Sequence, residues 1–201
     1  MNKFSTLSIA TLIVFALPLG LAQADVGSIA KKCNECHGEN GNSTDGDVPN
    51  IAGMSAIYLS DTLTAYVEGD RKGVKYKPEG GEESDMEEVA AKLSEDDIKA
   101  ITEYYAGKPF KMHEQSVDSA MAAAGRKTFE KQCEKSHDEG GTVPDDDAGL
   151  LLGQWKPYLK EQFSLFGDGT RIMPKKMKKK FSKLSDEDKA NILEYLASGK
   201  E

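Results

Sequence analysis

From residue 25 onward the chain repeats itself. Displaced by 100 residues, Cys33 falls on Cys133, His37 on His137, Gly53 on Gly153, Tyr58-Leu59 on Tyr158-Leu159 and Arg71 on Arg171. Beyond Arg71 the displacement becomes 91, so that Met86 meets Met177, Lys92-Leu93-Ser94 meets Lys183-Leu184-Ser185 and Glu103-Tyr104 meets Glu194-Tyr195. The first copy therefore carries about nine extra residues, within 72–81. A repeat of this length predicts two small domains, not one continuous core. Units of that size bury little apolar surface of their own and usually need a staple or a bound group. Cysteine pairing is not the staple, because 3 cysteines cannot build an even disulfide framework.

Residues 1–24 read as an export signal. Asn2 and Lys3 precede an apolar run over 7–21, and Ala22-Gln23-Ala24 supplies the small-x-small cleavage pattern. The run is shorter than a bilayer-spanning helix and no later segment is apolar enough, so no membrane span is expected after signal cleavage. The expected location is periplasmic, outside the cytoplasm. A net charge of -8 argues against nucleic-acid binding through phosphate neutralisation.

Each copy reads as helical. A helix leads into each cysteine motif, clearest over 119–133, where Met121, Gly125 and Phe129 recur about one turn apart. Tyr58, Leu59, Leu63, Tyr66 and Val67 share one face of a second helix, whose counterpart spans 158–166. Ser94 and Ser185, followed three residues later by Asp97 and Asp188, begin the last helix of each copy as capping boxes. The expected division is a first domain over 25–108, a linker over 109–118 where Pro109 breaks the helical pattern, and a second domain over 119–201.

Cys33-Asn34-Glu35-Cys36-His37 is the C-x-x-C-H attachment sequence for a c-type haem. Two thiols three positions apart can each add to a porphyrin vinyl group, while the next imidazole reaches the iron. A zinc half-site would need further ligands that the chain scarcely has. A redox dithiol would accompany a strand-helix-strand pattern, which is absent. The second iron ligand is read as Met86 in the first copy and Met177 in the second, each in a loop before the last helix. Met54 and Met173 are the rivals, but Met54 corresponds to Gln154 and Met173 has no clear counterpart.

The second motif, Cys133-Glu134-Lys135-Ser136-His137, has serine where the second thiol belongs. Three states are open: haem held by one thioether on Cys133, haem held without a covalent bond, or no haem. Retention of His137 and Met177 favours a pocket shaped for haem. Pro49 and Pro144 each follow a motif closely enough to support the histidine, Trp155 is read as pocket lining or core, and His113 as a solvated linker residue.

Charge divides unevenly. Residues 25–108 carry 9 basic and 18 acidic side chains, whereas 109–201 carry 16 of each. The lysines of the second copy gather in Lys175-Lys176-Met177-Lys178-Lys179-Lys180, around the expected iron ligand, where they could steer an acidic redox partner.

On these residues the chain resembles the two-domain, dihaem class I cytochromes c, which implies an all-α fold of two tandem class I cytochrome c domains joined by a short linker. More narrowly, Glu139-Gly140-Gly141, Gly153-Gln154-Trp155-x-Pro157-Tyr158-Leu159 and Lys175-Lys176-Met177 are similar to the cytochrome subunit of flavocytochrome c sulfide dehydrogenases. That resemblance implies an electron-transfer subunit, not itself an enzyme, that accepts electrons from an FAD-containing flavoprotein subunit oxidising sulfide. A soluble electron acceptor such as a small cytochrome would take them onward. It also implies Cys33 and Cys36 as haem c attachments, His37 and Met86 as ligands of its iron, and Cys133, His137 and Met177 as the second site. A free-standing dihaem-type carrier serving a terminal oxidase is the alternative.

Overall fold

The computed structural model describes residues 25–144 and 148–200, so the export signal read over 1–24 lies outside the described residues. Four helices build the first half: α1 (Val26–His37), α2 (Ala56–Glu68), α3 (Met86–Ala90) and α4 (Glu95–Ala106). Four more build the second: α5 (Ser119–Gln132), α6 (Lys156–Asp168), α7 (Lys175–Phe181) and α8 (Asp186–Ser198). Among the described residues the only strand-like pairing is an isolated antiparallel bridge between Tyr76 and Ser84. Among the described residues the fold is all-α, in two successive helical halves.

The helices start where side chains can satisfy free backbone N–H groups. Asp25 caps α1, Ser55 caps α2 and Asp118 caps α5. Ser94 and Ser185 form complete capping boxes with Asp97 and Asp188, as the sequence predicts. The acidic first turns of α4 and α8 further suit the positive end of the helix dipole.

Two apolar clusters form, one per half. The first gathers Ala30, Met54, Leu59, Ile101 and Tyr105 and borrows Leu150 from the second half. The second gathers Phe129, Leu152, Leu159, Ile192, Tyr195 and Leu196. In the second half α5 and α8 cross so closely that a Cβ on Gly125 would stand 1.9 Å from the carbonyl oxygen of Asn191. Val67, expected on the buried face of α2, is instead 51% exposed, while Leu59, Leu63 and Tyr66 lie on the inward side.

The halves are joined by directed polar contacts. Asn50 and Gln154, both fully buried, bond reciprocally: Asn50 N donates to Gln154 Oε1 (2.9 Å) and Gln154 Nε2 donates to Asn50 O (3.0 Å). Tyr158 N donates to Gly46 O at 3.0 Å. The connecting segment is tied to both sides, with Asn42 Nδ2 donating to Pro109 O (3.1 Å), Asn50 Nδ2 to Lys111 O (3.0 Å) and Gln115 Nε2 to Gln154 O (3.0 Å).

Candidate haem sites

The first motif lies on the last turn of α1. An α-helix carries residues i, i+3 and i+4 on one side, so Cys33, Cys36 and His37 share a face without any departure from helical backbone. Gly38, at φ +72, turns the chain away; a Cβ there would meet Asn42 O at 2.1 Å. His37 is buried and its Nδ1 sits 2.9 Å from Pro49 O. With Nδ1 donating to that carbonyl, Nε2 is the nitrogen left to coordinate a metal, and the ring cannot swing. The proline noted in the sequence supports the histidine through its backbone carbonyl. Tyr105 Oη, from α4, donates to Asn34 Oδ1 at 2.8 Å and pins the motif from behind.

Neither thiol is activated by its surroundings. Burial pushes the Cys33 thiol up, against the lowering influence of Tyr105, and burial and the neighbouring Glu35 push Cys36 up. A thioredoxin-like pair would have a thiol held below the usual range. Neither is paired in a disulfide.

In the second half the helix stops one residue before the motif. Cys133 follows α5, and Glu134–Ser136 winds as a tighter 3-10 turn. His137 N nonetheless bonds Cys133 O at 3.1 Å, so the first thiol and the imidazole stay one turn apart. Phe129 packs beside His137, ring centroids 6.4 Å apart. Burial pushes the Cys133 thiol up to about 11.

Met86 and Met177 stand at repeat-equivalent places on the short helices α3 and α7, each partly buried. Both were expected in loops. The loop reading failed because Asp85 caps a helix at Glu88 N and Pro174 opens α7, both starts too short to show a helical stripe. Met54, by contrast, is spent in the first core against Ala30, Leu59 and Ile101. Met173 stands outside both helices and both core clusters, half-buried before Pro174.

Two further expectations change. Trp155 does not fill the second core: its Nε1 donates to Ser43 O of the first half at 3.0 Å. His113 is only half-exposed: it stacks on Trp155, centroids 4.5 Å apart and planes 16° apart, with Nε2 buried.

Sequence reasoning gave no role to a polar cluster between the halves. Arg71, buried, donates to Tyr158 Oη (3.2 Å) and Gln162 Oε1 (3.2 Å) and lies 4.9 Å from the centre of the Tyr66 ring. Arg171 donates to the same Gln162 Oε1 at 2.6 Å and covers Phe166. Burial would raise the Tyr58 hydroxyl, but Arg71 and Arg171 outweigh it and hold its pKa below the usual value. Among the described residues neither guanidinium forms an ion pair with a carboxylate. A buried and a partly buried guanidinium sharing one amide oxygen form a cradle for anionic groups, which the carboxylate arms of haem would supply. The signal was in the repeat, where Arg71 falls on Arg171 and Tyr58 on Tyr158.

A helix-borne attachment motif with its imidazole fixed by a proline carbonyl, set in a helical unit that occurs twice, defines a two-domain class I c-type cytochrome. The cytochrome c family profile matches residues 27–106. Cytochrome c4 of Stutzerimonas stutzeri is 31% identical over 185 residues, 85% of each chain. Cytochrome c4 of Pseudomonas aeruginosa is 29% identical over 210 residues, 98% of each. The crystal structure of reduced recombinant cytochrome c4 from Pseudomonas stutzeri superposes with a TM-score of 0.69 at 27% identity, covering 87% of this chain and 98% of that one. The chain belongs to the cytochrome c4 family, whose members are electron-transfer proteins, not enzymes.

Proposed function

We propose that this protein is a free-standing periplasmic dihaem electron carrier. The observation that carries the reading is the fixed His37 imidazole, one residue beyond two helix-borne thiols, in a unit that is duplicated. Cys33 and Cys36 would hold one haem c through two thioethers, with His37 and Met86 as the residues that would hold its iron. Cys133 would hold the second through a single thioether, with His137 and Met177. Arg71, Arg171 and Tyr58 would receive the carboxylate arms between the halves. Bound iron would supply one-electron chemistry, and a methionine thioether together with a histidine would raise its potential. The protein's part is to fix the imidazole, exclude water from it and hold the two sites in one frame.

No helix among the described residues is long and apolar enough to cross a membrane. The second reading, a subunit bound to an FAD-containing sulfide-oxidising flavoprotein, rests on the run from Gly153 to Leu159. Those residues have work inside the chain: Gln154 bonds Asn50, Trp155 bonds Ser43, Pro157 packs on Gly46 and Tyr158 meets Arg71. Any rigid two-domain cytochrome needs such contacts, so the run does not call for a flavoprotein. Purification from the native periplasm tests the choice. The expected product is a flavin-free holoprotein reduced by a quinol-oxidising complex; a stoichiometric FAD subunit and sulfide-dependent reduction would overturn it.

A further inference from the structure

The extra residues of the first copy lie between Arg71 and α3, the helix that begins at Met86, and they do not form a slack loop. Tyr76 and Ser84 exchange both backbone hydrogen bonds, each at 2.9 Å, and Gly81 N closes a turn on Pro78 O at 3.0 Å. Pro78 is buried. One side of this segment grips α3. Lys72 pairs with Glu87 at 2.9 Å, and Lys75 pairs with Asp85 at 2.9 Å and Glu88 at 2.6 Å. Gly73 N donates to Glu87 Oε2 at 3.2 Å, and Ser84 Oγ donates to Glu88 Oε2 at 2.9 Å. The approach is close, since a Cβ on Gly73 would stand 2.8 Å from Met86 N. Exposed ion pairs contribute little singly. Here they share partners with two hydrogen bonds, and all of them hold the one helical turn that carries Met86.

The other side reaches the histidine. Tyr76 Oη donates to Asp45 Oδ2 at 2.8 Å. Burial and the Asp45 carboxylate push the Tyr76 hydroxyl up to about 12, with Cys36 near enough to add to the effect, so the hydroxyl remains a donor at neutral pH. Asp45 belongs to the loop that runs to Pro49, whose carbonyl fixes His37. That loop is closed on itself, with Asp45 N donating to Ser43 Oγ at 3.1 Å and Val48 N to Asp45 O at 3.2 Å, so Asp45 is a fixed anchor. The second copy is built differently. There α7 opens at Pro174 with no side-chain cap, and among the described residues no ion pair reaches it.

We propose that residues 72–84 form a strap, with Lys75 and Tyr76 as positioning residues, that ties the Met86 helix to the 45–49 loop and so fixes Met86 against His37. The strap deepens the proposed function and rests on His37 and Met86 holding the first iron. Partners that orient a metal-binding side chain from outside set how firmly it holds. With α3 tied through Asp85, Glu87 and Glu88, Met86 cannot swing out without breaking those contacts, so the strap disfavours any competitor for its place.

The probe is imidazole, a nitrogen ligand that competes with methionine sulfur, titrated onto the oxidised full-length holoprotein. The readout is loss of the far-red sulfur-to-iron charge-transfer band, and Met86→Ala identifies the part of that band that belongs to the first site. In the double variant Lys75→Met, Tyr76→Phe, imidazole displaces Met86 at a concentration lower by about threefold or more, the scale of a few surface ion pairs and one hydrogen bond lost together. Tyr76→Phe alone, which keeps the ring, moves the midpoint in the same direction, and Lys75→Arg keeps the wild-type value. Lys99→Met removes the same charge from an exposed position on α4, away from the strap, and changes the midpoint by less than about 1.5-fold. A wild-type midpoint in both strap variants would overturn the strap, as would an equal shift in Lys99→Met. A Met86→Ala variant that keeps the whole band would overturn Met86 as the iron-holding residue, and the strap with it.

Discussion

His37 Nδ1 lies 2.9 Å from the carbonyl oxygen of Pro49, on a ring that is almost wholly buried. Burial lowers the pKa of this imidazole, and the bond to Pro49 offsets only part of that. In the haem-free chain His37 therefore stays neutral when folded, while the unfolded state takes up a proton below about 6.5. The stability that depends on neutral His37 is complete above that pH and is lost as pH falls from there through the lowered folded-state pKa, at up to ~1.4 kcal/mol per pH unit. Denaturant titrations of apo wild type and apo His37→Asn should diverge in slope below pH 6.5 and run parallel above it; parallel curves throughout would show that the ring is charged or solvated.

Replacing Ser136 with cysteine should complete the second attachment site. His137 N already bonds Cys133 O, so the turn is wound to present both positions to one ligand. The expected product carries two thioethers in the second domain, seen by peptide mass and by the shift in the alkaline pyridine haemochrome band. A variant whose second domain gains no thioether would show that its pocket does not receive haem.

Gly125→Ala should destabilise the second domain selectively. The new Cβ would collide with Asn191 O and stand 2.8 Å from Ile192 N, backbone atoms that cannot turn aside. Overpacking of this kind costs about 1–3 kcal/mol or more. Calorimetry should show the second domain melting several degrees lower while the His37 site keeps its spectrum.

Arg71→Met removes a guanidinium that serves Tyr158 and Gln162 across the interface. Loss of both charge-assisted bonds, with Arg171 alone still serving Gln162 Oε1, should cost ~1–3 kcal/mol, visible as uncoupled melting of the two halves. Loss of the positive charge should also lower both haem potentials, because the oxidised, more positive iron then loses a repelling neighbour. Spectroelectrochemical titration reads this directly. Unchanged potentials would place the arginine too far from either iron.

The duplicated pattern, the first attachment motif and both serine capping boxes were legible in the sequence because each depends on residues close in the chain. The interface was not. Gln154, Trp155, Arg71 and Tyr158 act on residues far along the chain in the other copy, and no local periodicity marks such contacts. The same run was instead matched to a flavoprotein-bound relative. Met86 and Met177 were found by repeat register, yet their helices were missed, since five to seven residues beginning at Asp85 or Pro174 carry too little apolar spacing to announce a helix. The 3-10 winding after Cys133 is likewise a departure that the shared spacing of the two motifs conceals.

The central claim, two haem sites built on Cys33-Cys36-His37 and Cys133-His137, is tested most directly by haem stoichiometry with intact mass on the purified chain. The account predicts two haems per chain, both retained through acid–acetone extraction, with three thioether bonds mapped to Cys33, Cys36 and Cys133. One haem per chain, with a free thiol at Cys133, would contradict it.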